Sequence, residues 1–104
     1  MTNYVLVYKG GGMPQTDAER EAVTAAWGAW YAALGESVVD GGNPFGPSTS
    51  VSPDGRVSQG AASGLSGYTI LRSDSLAAAS EAAKGCPVLS SGGNVEVYET
   101  FEVT

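Results

Sequence analysis

The longest regularly patterned stretch of this chain is "TDAEREAVTAAWGAWYAALG", residues 16–35, and it has the period of an α-helix. Val23, Trp27, Trp30 and Leu34 recur at i, i+4, i+7 and i+11 and draw one apolar stripe. Ala22, Ala26, Ala29 and Ala33 form a thinner stripe beside it, suited to close approach to a sheet. Thr16 and Glu19 have the spacing of a capping box, in which each side chain satisfies a free amide near the other residue. Gly35 supplies a left-handed cap. A helix this well marked, flanked by strand-length apolar runs, restricts the chain to arrangements in which a sheet carries helices.

The flanking runs set the order. "NYVLVY", Asn3–Tyr8, is β-branched and aromatic, and "GGGMP" stops it. "SVV", Ser37–Val39, follows the helix as a short strand. "TSVSPDGRVS", Thr49–Ser58, places Pro53-Asp54-Gly55 between two short strands, with the chemistry of a type I turn. "GYTILR", Gly67–Arg72, is a further strand. "SDSLAAASEAAKGCP" gives a second helix, capped by Ser73 or Ser75 and closed by Gly85. "NVEVYETFEV", Asn94–Val103, is the last strand, with Val95, Val97, Phe101 and Val103 on one face. The order is β-α-β-β-α-β with a hairpin inserted in the middle: an α+β chain of ferredoxin-like topology with an antiparallel sheet, one domain over 1–104.

Eleven acidic residues against five basic ones give a net charge of −6. That charge repels nucleic-acid phosphates and anionic membrane surfaces, and no basic cluster offers a local exception. The apolar run at the start is too short for a signal peptide or a membrane span, so a soluble cytoplasmic protein is expected. Cys86 is the only cysteine and is expected to pack back on its own helix. With no histidine and one cysteine, no metal site and no cofactor are expected.

In a ferredoxin-like sheet the ends of the first two strands share an edge with the starts of the last two. Four polar, glycine-rich stretches fall on that edge: Lys9–Gly12, Asp40–Asn43, Gly67-Tyr68 and Gly92–Asn94. They outline the mouth of a ligand pocket bordered by Lys9, Asp40, Asn43, Phe45 and Tyr68, with the start of the first helix nearby. Tyr8 and Trp27 are candidate pocket walls. Glu99 is a candidate as well, because it occupies the apolar phase of the last strand, where a carboxylate is costly to bury. "DGGNPFG" lacks the spacing and the Lys-Ser/Thr of a phosphate-binding loop.

Taken together, "YVLVYKGG", "AAWGAWYAALG", "VVDGGNPFGPS", "GYTILRSDSLAAASEAAKGCPVL" and "GGNVEVYE" resemble, in order and spacing, the YCII-related (DGPF-type) family of the dimeric α/β-barrel superfamily. The resemblance implies a ferredoxin-like protomer whose sheet packs face to face with a second copy and closes a barrel around pockets. It also implies acid/base chemistry by a His–Asp pair, for which Asp40 has the acid's position and Lys9 replaces the absent histidine. The family's "DGPF" is kept here only in its first two residues, as Asp54-Gly55-Arg56-Val57.

The leading expectation is a homodimeric pocket protein that binds a small organic ligand. The alternatives are an acid/base enzyme of elimination or hydrolysis type, using Asp40 with Lys9 or Tyr68, and a non-catalytic interaction module. The dimer has its own argument. Two helices can cover one sheet face, yet the strands are apolar in both phases: Val5 and Val7 against Tyr4, Leu6 and Tyr8, and Tyr68 and Ile70 against Leu71. Neither face reads as wet.

Overall fold

Strand β1 (Thr2–Lys9) is apolar on both sides and lies inside the sheet, with neighbours on both edges. In the computed structural model, which describes residues 1–103, the rest of the chain assembles around it; position 104, the last of the expected unit, lies outside them. Helix α1 (Asp17–Leu34) and a 3₁₀ turn (Gly35–Ser37) lead to the short strand β2 (Val38–Asp40). Strands β3 (Thr49–Val51) and β4 (Val57–Gln59) form a separate two-stranded hairpin. Strand β5 (Leu65–Ser73), helix α2 (Leu76–Ala83), a second 3₁₀ turn (Pro87–Ser91) and strand β6 (Asn94–Glu99) complete the order read from the sequence. The four-stranded sheet runs β2-β5-β1-β6, antiparallel at every pairing.

The caps explain where the helices start. Thr16 accepts a hydrogen bond from the Glu19 amide at 3.1 Å, while the Glu19 carboxylate reaches the Gln15 amide, one residue before the cap. Of the two serines proposed for the second helix, Ser75 is the cap, accepting from the Ala78 amide at 3.1 Å. In the hairpin, the Gly55 amide donates to the Ser52 carbonyl at 2.8 Å across Pro53-Asp54. Asp54 accepts from the Ser52 hydroxyl and the Arg56 amide, and these bonds hold its carboxyl below the ordinary range.

The core lies between the sheet and α2. Tyr4, Leu6, Tyr8, Thr69 and Leu71 supply the sheet side, and Ala79, Ala83, Cys86, Val88 and Trp30 close over them. The Trp30 indole donates to the Ala82 carbonyl at 3.0 Å and so ties α1 to α2.

The structure corrects several sequence expectations. The last strand ends at Glu99, not Val103: after the Glu99–Tyr4 pair both the amide and the hydroxyl of Thr100 bond to the Asn3 carbonyl, and the ladder goes no further. Phe101 and Val103 are therefore exposed, at 82 % and 87 %. The alanine stripe does not approach the sheet; Ala22, Ala26, Ala29 and Ala33 all face outward, and of the apolar stripe only Trp27, Trp30 and Leu34 pack inward. Gly35 has the expected positive φ of 56°, but its ψ of −125° lies outside the left-handed helical region. The left-handed closure is absent at Gly85, where Lys84 is the cap. Gly85 instead makes room for Trp30, whose ring would meet a Cβ there at 3.0 Å.

The opposite sheet face has no helix on it. Val5, Val7, Tyr68 and Ile70 are half-buried there, and Tyr98 is exposed. The molecule is accordingly a slab of 45 × 39 × 18 Å. Its radius of gyration is 15.2 Å, against about 13 Å for a compact domain of this length. Among the described residues, no helix is long and apolar enough to cross a membrane.

Candidate functional site

The four glycine-rich stretches do converge. Tyr8 faces Gly67, and Lys9 faces Leu65 on one side and Asn94 on the other. The Gly12 amide bonds the Ser91 carbonyl at 3.0 Å, and an isolated bridge joins Pro44 to Gly67. After β2 the chain therefore continues along the edge of β5 as far as Ser66. Gly42 makes this close approach feasible: its φ is +75°, and a Cβ there would stand 1.7 Å from the Tyr68 carbonyl oxygen.

Between this edge segment and the second half of α1 lies a cleft of about 330 Å³. Tyr8 and Val88 line it from the core; Trp27 and Tyr31 line it from α1; Asn43 and Pro44 line it from the edge segment, with Gly67 and Tyr68 of β5 beside them. The aromatic walls brace one another. Tyr8 meets Trp27 edge-to-face with ring centroids 5.4 Å apart, and Trp27 meets Tyr31 at 5.8 Å. These are the spacings at which aromatic rings attract each other beyond simple burial.

A hydrogen-bonded network anchors the wall. The Tyr31 hydroxyl donates to the Gly41 carbonyl at 2.9 Å, and the Thr69 hydroxyl donates to the same oxygen at 3.0 Å. Thr69 has thereby used its only hydrogen, so Tyr8 is the donor in the Tyr8–Thr69 bond. Burial pushes the Tyr8 hydroxyl far above the ordinary tyrosine value, and it stays protonated. Burial likewise pushes the nearby Cys86 thiol up, against the opposing hydrogen bonds of the Val88 amide and Tyr8. Cys86 is thus a buried core thiol and not a reactive one. Among the described residues, every buried side-chain nitrogen and oxygen has a partner.

The residues singled out from sequence divide clearly. Tyr8, Trp27, Asn43 and Tyr68 line the cleft. Phe45 lies just outside it, stacked on Tyr68 with centroids 5.7 Å apart. Asp40 is exposed and borders the lining: it accepts from the Gly42 amide at 2.9 Å and from the Tyr68 hydroxyl at 3.2 Å. Its charge and this bond raise the Tyr68 pKa, a donated bond from Asn43 opposing. Lys9 is exposed, lines no part of the cleft and forms no ion pair among the described residues, so the structure pairs Asp40 with Tyr68 and not with Lys9.

Glu99 lies at the other end of β1. It shares the phase of Val95 and Val97, but it is exposed and accepts from the Tyr4 hydroxyl at 3.1 Å. Four residues, about 13 Å of strand, separate its partner Tyr4 from Tyr8. The start of α1 is also remote from the lining, since Asp17–Ala26 are exposed and none of them borders the cleft. Tyr31, Val88 and Ser66 are lining residues that the sequence reading passed over. Tyr31 follows Trp27 by one helical turn, and that spacing was the available signal.

No group of three or more metal-ligating side chains occurs among the described residues. Set against protein-family models, curated proteins and solved structures, the chain matches none of them.

Proposed function

We propose that this chain is the protomer of a small homodimeric binding protein that holds a small organic ligand in the aromatic cleft. The observation that carries the reading is the cleft itself: about 330 Å³, walled by Tyr8, Trp27 and Tyr31, at the one sheet end where all the glycine-rich segments meet. Its size and mostly apolar lining with a few polar groups are those of small-molecule sites in general. The strand order β2-β5-β1-β6 supports a ferredoxin-like protomer of the YCII-related type. The uncovered face of Val5, Val7, Tyr68 and Ile70 supports pairing with a second copy, which closes the barrel.

Binding is favoured over acid/base catalysis by the Asp40–Tyr68 pair. A tyrosine that donates to a carboxylate and has a raised pKa holds its proton, so it positions a ligand better than it exchanges protons. A thermal-shift screen of the pure protein against classes of small organic molecules tests the reading. Stabilisation by at least one class, lost in Trp27→Ala, is the expected result. A screen in which no class raises the melting temperature overturns it.

A further inference from the structure

Among the cleft's features, the sign of its electrostatics has the most to say about what it binds. We propose that the cleft takes an organic monocation, of the quaternary or alkylated ammonium class, an inference that rests on the binding reading above. Three rings line one wall, with the Trp27 ring 5.4 Å from that of Tyr8 and 5.8 Å from that of Tyr31. Aromatic faces carry the negative part of a quadrupole and attract a cation within about 6 Å of the ring centroid.

No lysine or arginine lines the cleft. Of the five basic residues, Arg20, Arg56 and Lys84 each pair with an acid two or three residues away in sequence, and the chain as a whole carries −6. The nearest formal charge bound to the lining is negative: Asp40, tied to the Tyr68 hydroxyl at 3.2 Å and to the Gly42 amide at 2.9 Å. An anionic ligand is disfavoured. Nothing in the lining neutralises a carboxylate or phosphate, and the surrounding field repels it. The bulky, weakly hydrated ammonium class suits such a site because it gives up little hydration when it enters an apolar cleft.

Choline and its neutral isostere 3,3-dimethyl-1-butanol separate charge from shape. Each is titrated by calorimetry and by tryptophan fluorescence, which Trp27 makes sensitive to the cleft; indole serves as a neutral aromatic probe. Choline is expected to bind about three- to thirty-fold more tightly than the isostere. Asp40→Asn, an exposed substitution that keeps an acceptor for Tyr68, is expected to narrow that ratio, and added salt should narrow it as well. Equal binding of choline and the isostere overturns the charge inference and leaves the cleft as a binding site. Binding of indole without binding of choline does the same. If none of the three binds at millimolar concentration, the inference and the binding reading fall together.

Discussion

At the scale of single residues, the buried hydroxyl of Tyr8 makes the sharpest prediction. A free tyrosine ionises near pH 10.0, whereas Tyr8 in the folded chain holds its proton well beyond that. Above pH 10 the unfolded chain therefore binds fewer protons than the folded one, so stability is complete below pH 10 and falls as pH rises toward the folded value. Urea midpoints are expected to be flat from pH 7 to 9 and to drop from pH 10 upward in wild type; in Tyr8→Phe the drop should be smaller, after an initial loss of about 1 kcal/mol for the deleted bond to Thr69. A midpoint unchanged to pH 11.5 contradicts this. Cys86 gives a second test: buried and with a raised pKa, it should react with a thiol reagent only as fast as the chain unfolds. Tyr8, Tyr68 and Glu99 indicate what sequence can say about a site. That Tyr8 and Tyr68 stand at the end of strands beside glycines was legible, since period and turn signals locate strand ends. That Glu99 is not with them was not legible, because alternation assigns a face but not a distance along the strand. Only the register, with Tyr4 opposite Glu99, carries that information.

At the scale of elements, the two helices have similar caps and different consequences. Ser75 starts α2, which carries Ala79 and Ala83 into the core, whereas Thr16 starts a segment, Asp17–Ala26, that is exposed throughout. Removal of an N-cap oxygen costs about 1 kcal/mol when the helix end must stay ordered. Ser75→Ala should show that cost in a denaturant titration, while Thr16→Ala should show less, because fraying of the exposed turns absorbs it. Equal losses would mean that the start of α1 packs on something in solution. Gly42→Ala is the severest single change expected in the segment that follows β2 along β5: strained backbone alone costs about 1–3 kcal/mol, and the Cβ overlaps the Tyr68 carbonyl. The variant should lose the cleft even where it still folds. Element order and helix starts were readable because caps, turns and periodicity are local. The end of β6 was not, since Phe101 and Val103 continue the alternation and nothing local marks where the ladder with β1 stops.

At the scale of the whole molecule, the sequence and the slab point the same way. Apolar residues in both phases of β1 and β5 imply two covered faces, and the fold covers one, with Tyr4, Leu6, Tyr8 and Leu71 under the helices. Val5, Val7 and Ile70 are left on the other face, with Tyr98 55 % exposed beside them. Apolar side chains left without a covering layer favour association, since soluble monomers rarely expose large contiguous apolar patches. A second copy placed face to face on a two-fold axis hides it with one self-complementary surface, and a stable pair of this type buries on the order of 2,000 Å². Sedimentation equilibrium at micromolar concentration is expected to return twice the chain mass of 10.5 kDa. Val7→Lys and Ile70→Lys lie on the open face and should each shift the equilibrium to monomer while leaving the helix-side core intact. Val51→Ser, on the exposed and separately paired β3–β4 hairpin, should leave the mass at the dimer value. The choice of face is testable in the same experiment, because Leu6 and Leu71 lie under the helices: a charge there should unfold the chain and not merely divide the dimer. A wild-type chain that sediments as a well-folded monomer would refute the pairing and with it the closed barrel.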